Sequence, residues 1–292
     1  SCPTESMHTD KGDYTWPSTT PVNTVQLNCV RKAQKQAERK CKLGDDSDQA
    51  EWSKPNLEQC SVWPALPNSI SDMEPIPVTA DNAKDVARHV LILTHETPSL
   101  SLRDLEIVVS KMSAILVVAP IDLSLSKDVV GIIHNILNKT NDLTGFSVRI
   151  LQMMETVGNN LEFVGNEVAI TTDTVSMAVV NIDFIHFWGI AFGVLSYIDG
   201  FIQQIYMNET SLNNAVAFIK LPSVIHKFPA GKQALKSRIQ FQFYGETSLF
   251  EDRTLSEQKL NSYVVSSSIK GKNVRNLSEP VKITLKHLTA KQ

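Results

Sequence analysis

The sequence predicts a multidomain α+β protein: a small disulfide-stapled module, then a helical bundle, then a twisted antiparallel β-sandwich. Three observations lead to this fold class. All four cysteines fall within the first 60 of 292 residues. Apolar residues recur at helical spacing between residues 80 and 161, and from about residue 162 the apolar period changes to two. A helical block followed by many short strands is typical of a bundle joined to a sandwich.

The cysteines are Cys2, Cys29, Cys41 and Cys60. Their wide spacing does not match the paired C-x₂₋₄-C ligands of a zinc site, so we expect no metal. An even number of cysteines in a short stretch with little apolar periodicity predicts disulfides, with three pairings open. Within this module the sequence predicts a short polar helix over Val30–Lys42 and a small tryptophan core.

The charge is nearly balanced, with 28 basic and 31 acidic residues and a net charge of −3. This balance argues against a nucleic-acid or polybasic membrane-surface role, because either needs a clustered positive excess. The one clearly basic run is Arg31–Lys42, which we interpret as a solvated helix face.

A proline-rich stretch at 61–79 predicts an extended connector between domains. The chain starts with Ser1-Cys2-Pro3 and shows no signal peptide. We expect this start to be a position inside a longer protein. The most apolar stretch, Val179–Ile198, contains Asp183 and His186, so we expect buried strands there and no transmembrane helix.

Four helices are predicted between residues 80 and 161. The first begins near Ala83, and Ser101 with Asp104 forms a capping box for the second. Ser126 is expected to cap the third, and the fourth runs over Ser147–Leu161. Together they predict a small bundle.

The strand pattern follows directly. Alternation is clearest at 238–244, where Ile239, Phe241 and Phe243 alternate with polar residues. The complete set of predicted strands is Phe163–Val164, Val168–Thr171, Met177–Ile182, Phe184–Phe192, Val216–Leu221, Arg238–Tyr244, Val264–Ile269 and Val281–Leu285.

No catalytic signature is present. The sequence lacks G-x-S-x-G, the P-loop and G-x-G-x-x-G, and His95-Glu96 lacks the second histidine of a zinc helix. We therefore expect no catalytic residue, no metal and no cofactor. Three N-x-S/T sequons, at Asn138, Asn208 and Asn276, permit glycosylation and, with the cysteines, favour the extracellular side.

The first 60 residues resemble the hormone-receptor (HormR) module of family B and adhesion receptors. The matching motifs are W-P-x-T at 16–19, A-x-x-x-C at 37–41 and W-x-x-P-x-L-x-x-C at 52–60. The resemblance implies pairing of Cys2 with Cys29 and of Cys41 with Cys60. The three-disulfide form of the module has a cysteine where Trp16 stands, so one bridge of that form is absent.

Residues 262–288, SYVVSSSIKGKNVRNLSEPVKITLKHL, resemble the segment upstream of the self-cleavage site in GAIN domains of adhesion G-protein-coupled receptors. Ala217–Pro222 resembles a strand ending in "LP" within such domains. This resemblance implies a HormR module at 1–60, a connector at 61–79, GAIN helical subdomain A at 80–161 and GAIN β-sandwich subdomain B at 162–292. Subdomain B would be incomplete at its C-terminus, and the G subgroup is our hypothesis within the family.

The resemblance further implies an extracellular regulatory region at the plasma membrane that shields a tethered agonist strand. Its partners would be that strand and an extracellular protein or matrix ligand, and it would signal to a G protein through a seven-helix domain. The alternatives are a secreted or cell-surface adhesion module without a signalling role, and a polycystin-like protein. A hydrolase is the enzyme alternative, and the absence of catalytic motifs argues against it.

His287-Leu288-Thr289 matches the family's cleavage triplet, H-L before S or T. The cysteine- and tryptophan-rich segment that surrounds this triplet in the family is missing: no cysteine follows Cys60 and no tryptophan follows Trp188. We therefore expect no self-cleavage at this position.

Overall fold

The computed structural model describes residues 1–44, 49–63, 67–140, 142–183, 185, 187–197, 200–207, 214–227, 236–251 and 260–289. The chain divides into two compact units, Ser1–Val86 and Ala87–Gln292. The domain boundaries at residues 60, 79 and 161 stay predictions.

The first unit is built from five short strands. β1 (Glu5–Thr9) and β2 (Gly12–Trp16) form a hairpin, and β3 (Thr24–Cys29), β4 (Lys32–Leu43) and β5 (Ala50–Trp52) form an antiparallel sheet. The helix predicted over Val30–Lys42 is therefore wrong, because this stretch is mostly β4. Strand period explains the error: Ala37, Arg39 and Cys41 are buried at alternate positions, so tertiary contacts override the helix propensity of the run.

Disulfides join Cys2 to Cys41 and Cys29 to Cys60. All four predicted cysteines are bonded, but the pairing implied by the resemblance is wrong. The backbone explains the difference. Cys2 exchanges hydrogen bonds with Thr19, and the carbonyl of Cys41 accepts from the Val22 amide at 2.8 Å. The N-terminus therefore lies beside β4, with the Cys2 and Cys41 Cα atoms 5.9 Å apart.

A cation lies inside the aromatic core of this unit. The Arg39 guanidinium stacks 5.9 Å from the ring centroid of Trp16 and 5.1 Å from that of Trp52. Its Nε donates to the Ser53 carbonyl at 2.8 Å, and a terminal nitrogen lies 3.4 Å from the Glu5 carboxylate. The sequence predicted the tryptophan core but not the arginine, which belongs to the run interpreted as a solvated face.

Four helices open the second part of the chain: α1 (Ala83–Glu96), α2 (Leu102–Val118), α3 (Leu123–Lys139) and α4 (Ser147–Asn160). The capping box of α2 is confirmed: Asp104 N donates to Ser101 Oγ at 3.2 Å, and Ser101 N donates to Asp104 Oδ2 at 3.0 Å. No helix among the described residues is long and apolar enough to cross a bilayer.

The predicted cap of α3 is wrong by one turn. Asp122, not Ser126, is the N-cap, because its carboxylate accepts from the Leu125 amide at 2.9 Å. Ser126 lies buried within the helix and donates its hydroxyl proton to the Asp122 carbonyl at 2.8 Å. Asp and Ser cap helices about equally well, so residue type alone could not choose between them.

Two four-stranded antiparallel sheets form the sandwich. One has the strand order β13-β10-β8-β9 and the other β12-β11-β7-β6. Buried side chains from both sheets meet between them, for example Phe192 stacked on Phe241 with ring centroids 5.3 Å apart. The strands are β6 (Glu167–Thr171), β7 (Val175–Asp183), β8 (Ile190–Tyr197), β9 (Gly200–Met207), β10 (Ala215–Leu221), β11 (Lys236–Tyr244), β12 (Val264–Ile269) and β13 (Lys282–Leu285).

Two strand predictions are wrong. Phe163–Val164 forms no strand, because Phe163 lies against the Arg238 guanidinium at 5.3 Å and Val164 is fully exposed. The strand predicted over Phe184–Phe192 begins only at Ile190, and Phe184 lies outside the described residues. Gly189, with φ of 108°, turns the chain there: a Cβ would lie 3.0 Å from the Leu221 carbonyl oxygen. β9 was missed, because adjacent polar residues interrupt its alternation.

The polar face of β11 is buried, not solvated. Tyr244 donates its hydroxyl proton to Gln242 Oε1 at 2.7 Å, and Gln242 Nε2 donates to Gln240 Oε1 at 3.2 Å. Gln240 Nε2 then donates to the Glu155 carbonyl and to Asn159 Oδ1 on α4, at 3.3 and 3.2 Å. Burial raises the pKa of the Tyr244 hydroxyl, which keeps it protonated as the first donor. We call these side chains of β11, with Arg238, the polar ladder.

The polar ladder ends at the C-terminus of α4. Arg238 Nε donates to Asn181 Oδ1 at 3.0 Å, and a terminal nitrogen donates to the Asn159 carbonyl at 3.1 Å. A cation suits this position because the last carbonyls of a helix lack intrahelical partners. The ladder requires a glycine on the helix: a Cβ at Gly158 would lie 1.9 Å from Gln240 Oε1.

We expect Gly158→Ala to lower the free energy of unfolding by about 1–3 kcal/mol, because the new methyl group displaces a buried, fully bonded amide. Thermal and urea unfolding measure the change. The matched control is Gly131→Ala in α3, whose new Cβ meets the movable Leu91 Cδ1 at 2.9 Å. Equal effects of the two substitutions would contradict the role given to Gly158.

Candidate functional site: the open β12–β13 edge

The last two strands lie at the ends of their sheets. Among the described strands, β12 pairs with β11 alone and β13 pairs with β10 alone. Each strand therefore directs one row of backbone N–H and C=O groups away from its partner, as the edge of any sheet does. We call the region between these two free edges the open edge.

The two strands are fastened together beyond one end of the open edge. Ser262 and His287 form an antiparallel bridge, and the Leu288 amide donates to the Asn261 carbonyl at 3.1 Å. The Asn261 side chain holds Thr289 by both of its amide atoms: Oδ1 accepts from the Thr289 amide at 2.8 Å, and Nδ2 donates to the Thr289 carbonyl at 3.1 Å. At the opposite end the connection through residues 270–281 joins the two strands.

The core is incompletely covered along the open edge. Ile283 lies directly opposite Ile219 on β10, and side chains of directly opposed residues share one face of a sheet. Ile219 is 4% exposed and belongs to the sandwich core, yet Ile283 on the same face is 54% exposed. The neighbouring apolar residues pack against the core but remain only partly buried: Tyr263, Val265, Val274, Leu277, Val281 and Leu285.

This geometry suits an added extended segment. Free backbone groups on both edges can form ladder hydrogen bonds, and alternate side chains of the segment can cover the exposed core face. No group of three or more His, Cys, Asp or Glu residues among the described residues could hold a metal ion.

The triplet His287-Leu288-Thr289 lies at the fastened end. The Thr289 hydroxyl donates to Asn261 Oδ1 at 2.8 Å. An amide oxygen is not a base, so this contact does not activate the hydroxyl as a nucleophile. The described residues with positive φ do not include Leu288 or Thr289, so the backbone here shows no left-handed strain.

Two of the three predicted glycosylation sites lie among the described residues. Asn138 is exposed near the end of α3, where its amide nitrogen lies 3.2 Å from His134 Nε2. Asn276 is exposed in the connection between β12 and β13, with φ of 53°. Asn208 lies outside the described residues. Occupancy of the three sequons stays a prediction. Asn261, which positions Thr289, was missed, because nothing in the sequence links two residues so far apart.

Comparisons with known proteins agree with this architecture. A family model described as "GPS: GAIN subdomain B" matches residues 138–292. Adhesion G-protein coupled receptor G4 of Mus musculus is 36% identical over 95% of this chain, and adhesion G-protein coupled receptor G6 of Danio rerio is 28% identical over 94%. The chain spans 9% of the first relative and 22% of the second.

A solved structure, the full extracellular region of zebrafish Gpr126/Adgrg6, is similar over 99% of this chain and 37% of its own length. The TM-score is 0.67 and the sequence identity is 27%. The similarity therefore covers both compact units, whereas the family model covers only the later part of the chain.

We expect Asn261→Ala to loosen the fastened end without unfolding the sandwich, because the lost hydrogen bonds are exposed and each contributes about 0.5–1.5 kcal/mol. Hydrogen–deuterium exchange of residues 286–289 should become faster, above all at the Thr289 amide. The control is Asn273→Ala, whose side chain accepts only from Arg275 Nε among the described contacts. Unchanged exchange at Thr289 in Asn261→Ala would show that the side chain does not hold this end.

Proposed function

Because the chain belongs to the GAIN subdomain B family and comprises extracellular GAIN sequence of an adhesion G-protein-coupled receptor, we propose that its open edge shields a tethered agonist strand of the longer receptor. The observation that carries the proposal is Ile283, a core-facing side chain that no described strand covers. A strand placed there would bury it and would pair with both free edges.

Release of that strand would pass the signal to the seven-helix domain and its G protein. An inserted strand is held by ladder hydrogen bonds and by buried apolar side chains together. Its removal is therefore slow unless force or an extracellular ligand intervenes. This kinetic property would let the ectodomain act as a relay for ligand or mechanical signals, and relatives of the G subgroup are consistent with a G-subgroup receptor.

Residues 1–60, which lie in the first unit, are proposed as a HormR module that serves as a spacer. The motifs at 16–19, 37–41 and 52–60 support that assignment, although the observed cysteine pairing differs from the one that the resemblance implies. The two bridges and the Arg39 stack make it a rigid element suited to carry domains apart. We further propose that Asn138, Asn208 and Asn276 carry glycans on the extracellular side of the plasma membrane.

The proposal is tested with a synthetic peptide that matches the post-cleavage sequence of the parent receptor, obtained from the longer transcript. We expect saturable binding to the intact chain by fluorescence anisotropy. Ile283→Lys should weaken binding at least about tenfold, because a charge replaces an apolar contact within the new core. The control is Thr284→Lys, the next residue on the opposite face of β13.

Two results would contradict the proposal. One is no binding at high micromolar peptide. The other is equal weakening by the two substitutions, which would show that the core face of β13 is not where the peptide lies. A transcript that stops after Gln292 would instead favour the secreted binding module.

We propose that the chain is not an enzyme and does not cleave itself at His287-Leu288-Thr289. After enzymatic removal of any N-glycans, the purified chain should be one species with the mass of the intact polypeptide, 32.4 kDa, since the Thr289 hydroxyl faces an amide acceptor and not a base. Intact mass spectrometry after prolonged incubation provides the measurement. A fragment with Thr289 at its N-terminus, absent from a Thr289→Ala variant, would refute this expectation.

A further inference from the structure

The positive charge of this chain is unevenly distributed. Residues 211–245 hold five lysine or arginine residues and no acidic residue, and residues 260–289 hold five against the single acid Glu279, in a chain whose net charge is −3. The two stretches are separated in sequence, so neither forms a basic run of the kind that Arg31–Lys42 presents.

The strand topology brings six of these ten cations to one end of the sandwich. Lys220, near the end of β10, lies directly opposite Lys282 at the start of β13. On the other sheet, the Lys270 amide donates to the Arg238 carbonyl at 2.9 Å where β12 ends. The Ser262–His287 bridge fastens the opposite end, so residues 270–281 cross this one. We call the cations gathered here the basic end: Lys220, Arg238, Lys270, Lys272, Arg275 and Lys282.

The basic end forms no close ion pair among the described residues, although Asp183 and Glu162 line the clefts beside it. Like charges directly opposite each other on adjacent strands are destabilising, as at Lys220 and Lys282. None of the ion pairs found among the described residues includes a member of the basic end. The side chains of Lys270, Lys272, Arg275 and Lys282 are exposed and available to a partner.

A cleft with several polar side chains adjoins this surface. It has a volume of about 640 Å³ and is lined by Asn166, Asn181, Asp183 and Ser237 beside Arg238 and Lys270. The same two cations line a second cleft, which reaches Glu162 and the C-terminus of α4. Arg238 is held rigidly by the polar ladder and by Phe163, so one cation of the basic end is preorganised. Amide and hydroxyl groups next to this fixed cation match a ligand that carries both hydroxyl and anionic groups.

We propose that the basic end binds a sulfated glycosaminoglycan. The cations lie on four separate segments along one end of the molecule, a distribution that suits an extended polyanion and exceeds what one small anion requires. Sugar hydroxyls meet the Asn and Ser groups of the cleft, while sulfates and carboxylates meet the cations. The inference uses only the extracellular assignment and does not depend on a strand in the open edge.

The test is binding of the intact chain to immobilised heparin at 0.15 M salt, measured by surface plasmon resonance. The triple variant Lys272→Gln, Arg275→Gln, Lys282→Gln should weaken binding about tenfold or more, since three exposed charge contacts are lost. The matched control is Lys32→Gln, Lys35→Gln, Lys40→Gln, which removes three exposed cations from β4 and should change affinity less than about twofold. Affinity of the unmodified chain should fall as salt rises.

Three results would overturn the proposal: no binding at 0.15 M salt, equal binding to desulfated heparin, or an equal loss in the β4 control. Thermal unfolding verifies that each variant is folded. If the triple variant does not fold, the single variant Lys282→Gln tests the proposal. It removes the like charge opposite Lys220 and is therefore expected to fold. That variant must bind heparin about twofold more weakly or worse, and unchanged affinity refutes the assignment.

Discussion

The buried amide of Gln240 is the contact on which the second unit depends. Gln240 lies on β11, whose two faces have different neighbours. The odd-numbered apolar residues of β11 fill the sandwich core, and its even-numbered polar residues meet the end of α4. Because Gln240 bonds along β11 and across to the helix, the bundle and the sandwich share one hydrogen-bond network. A shift of β11 by one residue would put both sets of side chains on the wrong faces. β12 pairs with β11, so the position of the open edge follows from the same register.

The sequence predicted the helices and most strands because each of these follows from local spacing. It could not predict which side of a strand would be covered. The alternation at 238–244 indicated one buried face, whereas α4 buries the other as well, around Gly158. The cysteine pairing failed for a related reason: the N-terminal segment returns to Thr19 and places Cys2 beside β4, a contact that depends on the whole module. Only the family resemblance implied that subdomain B is incomplete, since spacing cannot show that Ile283 lacks a cover.

The Arg31–Lys42 run shows how charge depends on secondary structure. As a helix it would have formed one solvated face. As a strand it turns Arg39 into the aromatic core and leaves Lys40 outside. The reverse occurs in the sandwich, where cations distant in sequence become neighbours because antiparallel strands bring Lys220 beside Lys282. In both cases the strand period of two determines on which surface the charged side chains lie. The density of charge along the chain does not determine it.

The fastening of β12 to β13 at Asn261 and Ser262 has a mechanical consequence. A segment that continues past Thr289 and turns back between the strands would run antiparallel to β13, from the fastened end toward residues 270–281. Tension applied to its far end along the strand axis would load all of its cross-strand hydrogen bonds in shear at once. Tension applied perpendicular to the strand axis would break these hydrogen bonds one after another, starting at the end where residues 270–281 connect the two strands. The direction of pull, and not its size alone, would then decide how readily such a segment leaves.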